Sequence, residues 1–217
     1  YTHLDHSQLP LEQYVKVRPL AVSDYTRSPV QFTFVLREDR FWLSNQWDHF
    51  LWLFWIKFQK PGWLGWYFLN RQKKKVIRTI SKIRKELPGA SFSLVGLGTW
   101  GTFPEDITDL RKNHLSFEEE QQWCAVYAKS QVIIGVHGSS MLIPTALAGG
   151  YINLIPRYKL PHQMEDILMQ HPLRFAAFLG RHFDLFSAPD LVAENAVQMI
   201  RAFPYLQSNW EASISGP

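Results

Sequence analysis

The sequence predicts an α/β fold in which helices flank a parallel β-sheet. The chain has 217 residues, of which 46% are hydrophobic and 19% charged; this excludes an intrinsically disordered protein and suffices for a substantial core. Short apolar runs alternate along the chain with segments of helical periodicity, which is the order that builds a parallel sheet. The run Gln131–Val136 is almost wholly apolar, as expected for a strand that is buried on both faces.

The first predicted strand, Val30–Leu36, is rich in β-branched and aromatic residues and ends at the charged cluster Arg37–Arg40. Residues 41–70 follow as an aromatic-rich insertion that holds six of the nine tryptophans. Its longest apolar run, Phe50–Ile56, is far shorter than the about 20 residues of a membrane-spanning helix. Tryptophan and lysine both favour the membrane interface, so the insertion is a candidate for docking on a membrane surface. The alternatives are a buried aromatic subdomain and an interface with another domain.

A helix is predicted over 71–87, because apolar residues recur there at helical spacing and Pro88-Gly89 follows as a stop signal. Residues 71–85 hold eight basic and no acidic residues, whereas the rest of the chain holds 15 basic and 19 acidic residues. The whole excess of positive charge, a net +4, therefore comes from this helix. Such a basic face attracts the phosphates of lipids, nucleic acids or phosphorylated ligands, or it is only a solvated helix face.

The alternation of strands and helices continues to the C-terminus. Ser91–Val95 is predicted as a strand that runs into the glycine loop Gly96–Gly101. Ser116 and Glu119 have the spacing of a capping box, which opens the next helix. The remaining predicted elements are a strand at Gln131–Val136, a helix at about Met141–Ala148, a strand at Tyr151–Ile155, a helix around 163–170, a strand at Phe175–Leu179 and a helix over about 190–202.

These elements predict one Rossmann-like domain over 30–204, which contains the insertion, between an irregular lead-in over 1–29 and a tail over 205–217. The chain starts at Tyr1 without a signal peptide, so we expect a cytoplasmic protein or a fragment of a longer one. The single cysteine, Cys124, excludes an intrachain disulfide framework. We expect no metal site, because no set of cysteines and histidines has ligand spacing. Walker A and Gly-x-Ser-x-Gly motifs are also missing from the sequence, and the glycine loop Gly96–Gly101 does not lead directly into a helix, which disfavours NAD or FAD as the ligand.

Polar clusters follow three of the predicted strands. They are Arg37–Arg40, Gly96–Gly101 and His137–Ser140. In an open parallel sheet, ligands bind beyond the carboxyl ends of the strands. We therefore expect the three clusters to meet at one rim of the sheet.

The cluster His137-Gly138-Ser139-Ser140 leads directly from a strand into a helix. Free backbone N–H groups, two hydroxyls and a helix N-terminus at one point favour an anion such as a diphosphate. Gly138 permits a close approach of the backbone to the ligand, and His137 is a candidate donor to a phosphate. The alternative is a tight strand-to-helix turn in which a serine caps the helix.

Arg37 at the end of the first strand is a candidate phosphate clamp, because a guanidinium group donates two parallel hydrogen bonds. Asp39 is a candidate for binding a hydroxyl group or for orienting Arg37. The alternative is a local surface ion-pair cluster, which is common and contributes little.

The segment from Ser116 to Pro156, SFEEEQQWCAVYAKSQVIIGVHGSSMLIPTALAGGYINLIP, resembles the C-terminal half of glycosyltransferases of GT-B fold. It is most similar to the O-GlcNAc transferase/xylosyltransferase family with the Val-His-Gly motif. Residues 136–138 match that motif, and Ser139-Ser140 stands where the family has Ala-Gly. The strand FTFVLREDR is similar to the first strand of the C-terminal domain in these enzymes, where an arginine at the strand end contacts the donor diphosphate.

The resemblance implies the donor-binding half of a glycosyltransferase that needs no metal or other cofactor and takes its sugar from a nucleotide-diphosphate sugar. A missing N-terminal domain would bind the acceptor, which is a sugar, a lipid-linked molecule or a protein. The base or ribose would contact the loop 96–104 or the segment Thr102–Arg111. Candidate general bases are Glu38, Asp39 and His137. The candidate substrate-binding residues are Arg37, Arg40, Gly98, Phe103, His137, Gly138, Ser139 and Ser140.

The rival interpretation is a non-catalytic Rossmann-like module that binds a nucleotide, or a nucleic acid through the basic helix. Single-strand binders interleave aromatic and basic residues on one surface, whereas here the aromatic residues precede the basic run, which disfavours a nucleic acid. A further expected partner is an anionic membrane surface, contacted by the insertion and the basic helix. The protein would then be peripheral to the membrane.

Overall fold

A six-stranded parallel sheet forms the centre of the molecule and confirms the predicted α/β, Rossmann-like class. The computed structural model describes residues 15–27, 29–58, 62–163 and 179–214. The strands are β1 (Gln31–Val35), β2 (Ser91–Val95), β3 (Thr108–Asp109), β4 (Val132–Val136), β5 (Gly150–Ile155) and β6 (Gly180–Asp184). They lie in the order β3-β2-β1-β4-β5-β6, and all neighbours are parallel.

The helices of the described residues cover both faces of this sheet. They are α1 (Gln46–Lys57), α2 (Gly62–Glu86), α3 (Phe117–Tyr127), α4 (Leu142–Leu147), α5 (Pro189–Arg201) and α6 (Phe203–Ile214). Helices α2 and α5 pack on each other and cover one face, where Phe32, Phe34 and Leu94 are buried. Helices α3 and α4 cover the other face, over Val35 and Ile133.

The direction of strand addition reverses between β1 and β4. The chain first adds β2 and β3 on one side of β1, and it then crosses over to add β4, β5 and β6 on the other side. Val35 of β1 is paired with Gly135 of β4, so these two strands end side by side. Their following segments lead to helices on opposite faces, which opens a crevice between the strand ends. Open α/β sheets bind ligands in such a crevice.

The aromatic-rich insertion is a pair of helices and not a separate subdomain. Helix α2 begins at Gly62, earlier than the predicted residue 71, and runs unbroken through the aromatic and the basic residues. Gly65 does not interrupt it, because an indole of α1 packs beside its backbone and compensates for the missing side chain. Trp55 and Phe68 are buried beside Phe41 in the main core. This part of the insertion therefore belongs to the core of the domain.

Segments on either side of the predicted domain also join the core. Tyr25, in the expected lead-in 1–29, is buried and stacks on Phe203 with 4.2 Å between the ring centroids. The expected tail 205–217 continues as helix α6, which ends at Ile214. The sequence-based boundary rested on Pro204, but a proline is tolerated in the first turn of a helix.

The two edge strands differ most from the sequence-based expectation. Strand β3 has only two residues, both exposed, so no apolar run indicates it. Strand β6 begins one residue after the predicted strand Phe175–Leu179, and all of its residues are only partly buried. The predicted helix around 163–170 and most of that predicted strand lie outside the described residues, which omit 164–178.

Candidate functional site

Two segments meet at the crevice between β1 and β4. Residues 37–40 follow β1, and residues 137–140 follow β4. Two cavities open on either side of Ser139, which lines both of them. The small cavity, about 170 Å³, is lined by Arg37 and Ser140, and the large cavity, about 310 Å³, by Arg40, His137 and Gly138. The structure thus brings residues of all three predicted clusters to one rim, because Gly96 also lines the small cavity.

The turn after β4 is shaped by Gly138. Its φ of 145° is disfavoured for residues with a side chain, and a Cβ there would lie only 1.2 Å from Nη1 of Arg40. The same Nη1 lies 3.4 Å from the carbonyl oxygen of His137, to which it donates. Only a glycine therefore allows the Arg40 guanidinium to lie directly on the turn.

The backbone amides of this turn are available to a ligand. The N–H of Met141 donates to the carbonyl of Gly138 at 2.8 Å and closes the turn. Within the described residues, the N–H groups of Gly138, Ser139 and Ser140 make no hydrogen bond to the protein. Helix α4 has only six residues, so these individual donors, and not a helix dipole, are what the turn offers to an anion.

Arg37 is held in place by Asp39. Its Nε and Nη2 donate to the two carboxylate oxygens of Asp39 at 2.7 and 2.9 Å. This hydrogen bonding raises the pKa of Arg37. Burial acts to raise the pKa of Asp39, but the hydrogen bond and the charges of Arg37 and Arg40 outweigh it, so that the pKa lies below its usual value. Both groups therefore remain charged, and Nη1 of Arg37 makes no hydrogen bond within the described residues.

Glu38 lines neither cavity and instead binds the backbone of the glycine loop Gly96–Gly101. Its Oε1 accepts from the backbone N–H of Trp100 at 2.7 Å, and its side chain fills the space beside Gly98. Phe103 lies under the guanidinium of Arg111, 4.7 Å from the ring centroid. Neither Gly98 nor Phe103 lines either cavity. Their assignment to the substrate, like the general-base role of Glu38, stays a prediction from the sequence.

His137 is buried, and its ring is oriented by Asn153. The side-chain amide of Asn153 is 2.8 Å from Nδ1, and an amide nitrogen only donates, so the hydrogen of a neutral imidazole is on Nε2. Asn153 is fully buried in β5. On the same strand, the hydroxyl of Tyr151 lies 3.5 Å from Nε2 of His182. Burial and the nearby His137 lower the pKa of His182. Sequence reasoning missed Asn153, although a polar residue within an apolar strand was its signal.

Aromatic side chains line the large cavity opposite the turn. The ring of His49 stacks in near-parallel orientation on Trp52 and on Tyr158, with centroids 5.6 and 6.3 Å apart. Lys159 lies at the same cavity. Sequence reasoning missed these residues, because they come from the insertion and from the segment after β5, which only the fold brings together.

The described residues contain no group of three or more histidine, cysteine, aspartate and glutamate side chains arranged to hold a metal ion. Cys124 is buried beside the small cavity. Burial, together with the charge of Glu120, raises the pKa of its thiol to about 11. The thiol is therefore protonated at neutral pH and is a poor nucleophile.

Most cations of the basic helix are engaged within the chain. Arg78 and Lys82 pair with Asp190, and Arg84 pairs with Asp106. Lys75 donates to the carbonyl of Leu43, and its ammonium lies over the ring of Trp42. Arg71 pairs with Asp48, and Lys73 lies over the ring of Phe103. These contacts reduce the charge that this face offers to a polyanion.

Helix α1, the residue that follows it and the start of α2 expose large apolar side chains. We call this the aromatic surface, and it comprises Trp47, Phe50, Leu53, Phe54, Ile56, Phe58, Trp63 and Trp66. The alternative of a buried aromatic subdomain therefore does not apply to these residues. Among the described helices, none is both long enough and apolar enough to cross a bilayer.

Comparisons with known proteins assign no family to the chain. The sequence matches no protein-family model, no curated protein and no solved structure.

Proposed function

We propose that the protein binds a nucleotide-diphosphate sugar at the crevice between β1 and β4 and forms the donor-binding part of a metal-independent glycosyltransferase. One observation carries this proposal. Arg37 lines the same cavity as Ser139 and Ser140, whose backbone N–H groups make no hydrogen bond within the described residues. Backbone donors next to a fixed positive charge favour a phosphate group.

In the proposed reaction, the bond between the anomeric carbon of the sugar and a diphosphate oxygen breaks, and an acceptor hydroxyl bonds to that carbon. Negative charge then develops on the leaving diphosphate. Arg37, Arg40 and the amides of the turn stabilise this charge, which lowers the barrier without a metal ion. The hydroxyl proton passes to a general base.

The geometry favours other roles than general base for the three sequence candidates. Asp39 is a positioning residue, because both of its carboxylate oxygens hold Arg37. His137 is buried and its ring is held by Asn153 through Nδ1, which suits a positioning role beneath the turn. Glu38 holds the amide of Trp100. In this proposal the base therefore belongs to a separate acceptor-binding domain, which also holds the sugar, lipid-linked or protein acceptor.

The proposal is tested by measuring melting temperatures with pyrophosphate, UDP, GDP and nucleotide sugars. A ligand present at about 100 times its Kd stabilises the folded state by about 2.7 kcal/mol, which raises the Tm by several degrees. Arg37→Ala should abolish the shift. Arg201→Ala, which removes an ion pair with Glu86 and lines neither cavity, should retain it. Stabilisation by short DNA or RNA and by no diphosphate would contradict the proposal.

A non-catalytic nucleotide-binding module would use the same crevice, and turnover separates it from a transferase. A transferase releases nucleoside diphosphate from a nucleotide sugar in the presence of an acceptor, whereas a module only binds the donor. The nucleic-acid alternative has less support, since four of the eight cations at 71–85 pair with acids of the same chain.

We also propose that the aromatic surface docks on an anionic membrane, which makes the protein peripheral to the bilayer. Trp63 and Trp66 are 68% and 57% exposed, and indole rings favour the membrane interface. Lys57 lies among the exposed rings, while the one acid of α1, Asp48, is buried. The exposed part of this surface thus carries positive and no negative charge within the described residues, which complements anionic lipid.

Vesicle flotation tests this docking. The protein should float with vesicles that contain phosphatidylserine at low salt and stay behind with purely zwitterionic vesicles. The double variant Trp63→Ser, Trp66→Ser should lose flotation, while Tyr205→Ala, which removes an aromatic ring that is 71% exposed on α6, should keep it. If the wild-type protein does not float, or is a dimer that the double variant dissociates, the surface is not a membrane-docking surface.

A further inference from the structure

The large cavity combines three properties that together select a class of ligand. Its wall is aromatic, its charged lining residues Arg40 and Lys159 are basic, and it reaches Ser139 of the turn. None of its lining residues in the described part of the chain is acidic. An anionic ligand that also carries a flat ring satisfies all three properties.

The aromatic wall is a fixed feature of the fold. Asp48 accepts from the N–H of Ser44 at 2.8 Å and from the hydroxyl of Tyr67 at 3.0 Å, which anchors the start of α1 to α2. The next residue is His49, whose ring is nearly parallel to the rings of Trp52 and Tyr158. A wall held in this way does not need to be ordered by the ligand, which lowers the entropic cost of binding.

The other side of β1 offers no comparable space for a ring. Arg111 donates to the carbonyls of Trp100 and Gly101 at 2.9 and 2.8 Å, and its guanidinium covers Phe103. The glycine loop is thereby closed on the segment that follows β3. Gly98 and Phe103 are thus covered by the side chains of Glu38 and Arg111, while Gly96 and Leu97 line only the small cavity.

From this arrangement we infer that the nucleobase of the bound nucleotide stacks against the wall of His49 and Tyr158, with the diphosphate at Ser139 and Ser140. This inference rests on the proposed function and names the part of the ligand that each cavity takes. The volume of about 310 Å³ is at the lower end of small-ligand sites. A neighbouring cavity of about 250 Å³ shares His49 and Tyr158 and extends to Asp184, which leaves room for a purine.

Tyr158 is the residue on which to test this, because it is 58% exposed and its truncation leaves the core intact. Calorimetric titrations measure the affinities for inorganic pyrophosphate, UDP and GDP. Tyr158→Ala should weaken UDP or GDP binding about tenfold by loss of stacking and leave pyrophosphate binding unchanged. Tyr158→Phe should bind like the wild type, because it keeps the ring. Tyr205→Ala is the control for loss of an exposed tyrosine elsewhere.

The outcomes separate the inference from the proposed function. Suppose that pyrophosphate binds and that UDP or GDP binds more tightly than pyrophosphate by the same factor in Tyr158→Ala as in the wild type. The base then lies elsewhere, and only the inference is overturned. If the wild-type protein binds neither pyrophosphate nor a nucleotide, the proposed function itself is wrong. Equal weakening of pyrophosphate and UDP by Tyr158→Ala also overturns the inference, because the ring then acts on the turn and not on a base.

Discussion

At the scale of single residues, Gly138 allows the guanidinium group of Arg40 to lie against the backbone of the turn, a contact that the proposed function needs. The Arg40 guanidinium occupies the volume that a side chain at Gly138 would take, and it thereby adds positive charge next to the free amides. A strained turn of this kind is maintained only by the surrounding structure.

Gly138→Ala should therefore remove diphosphate binding and destabilise the fold by roughly 1–2 kcal/mol, since φ of 145° is unfavourable for alanine and Arg40 must move. Titration calorimetry and denaturant unfolding measure the two effects. Gly89→Ala is the matched control, because a Cβ there meets open space. Normal pyrophosphate affinity in Gly138→Ala would show that the turn is not the binding element.

A second residue with measurable consequences is Lys75. Burial lowers the pKa of its ammonium group to about 8, while the charge of Asp48 partly opposes this and that of Arg71 adds to it. The unfolded chain has the ordinary value of 10.5 and so binds the proton more tightly. Folding stability therefore rises with pH between about 8 and 10.5 on account of this residue.

Relative to Lys75→Met, the wild type should thus gain roughly 2 kcal/mol in free energy of unfolding as the pH rises through this window. Urea denaturation at several pH values measures the difference, in which the titration of all other groups cancels. Lys74 is the exposed neighbour of Lys75 on the same helix. Relative to Lys74→Met, the wild type should show no such gain. Parallel pH curves for wild type and Lys75→Met would mean that Lys75 is solvated.

At the scale of elements, helix α3 shows how local sequence signals translate into structure. Ser116 accepts from the N–H of Glu119, and the carboxylate of Glu119 accepts from the N–H of Ser116, so both partners of the predicted capping box are in place. The helix carries Trp123, whose indole N–H donates to the carbonyl of Leu110 and helps to cover the small cavity.

Ser116→Ala should cost about 1 kcal/mol of stability, because the N–H of Glu119 loses its acceptor. Thermal unfolding of this variant is compared with that of Ser81→Ala, which changes an exposed serine within α2 and should be nearly neutral. An equal effect of the two substitutions would mean that the cap contributes nothing in the folded chain.

The central strands could be predicted from the sequence, but the edges of the sheet could not. β1, β2, β4 and β5 are buried on both faces and consist of apolar runs, so their limits follow from composition within two residues. β3 and β6 pair on one side only, and their short or polar sequences carry no such signal. Their existence depends on the strand beside them, which local patterns do not contain.

At the scale of the whole molecule, the sheet order creates the site. Arg37 and Ser139 are about 100 residues apart in sequence, yet they line one cavity because β1 and β4 are neighbours. Their chemistry could be predicted from strand-end motifs, because a parallel sheet gathers its strand ends at one rim. The contribution of His49 and Tyr158 could not, since it depends on packing between distant segments.

The central claim is that a diphosphate binds between Arg37 and the turn after β4, and a crystal structure of the protein with UDP tests it most directly. We predict the diphosphate within hydrogen-bond distance of the backbone amides of Ser139 and Ser140, with Arg37 on one side and Arg40 on the other. A diphosphate bound to the basic face of α2, or at any site away from this crevice, would contradict the account.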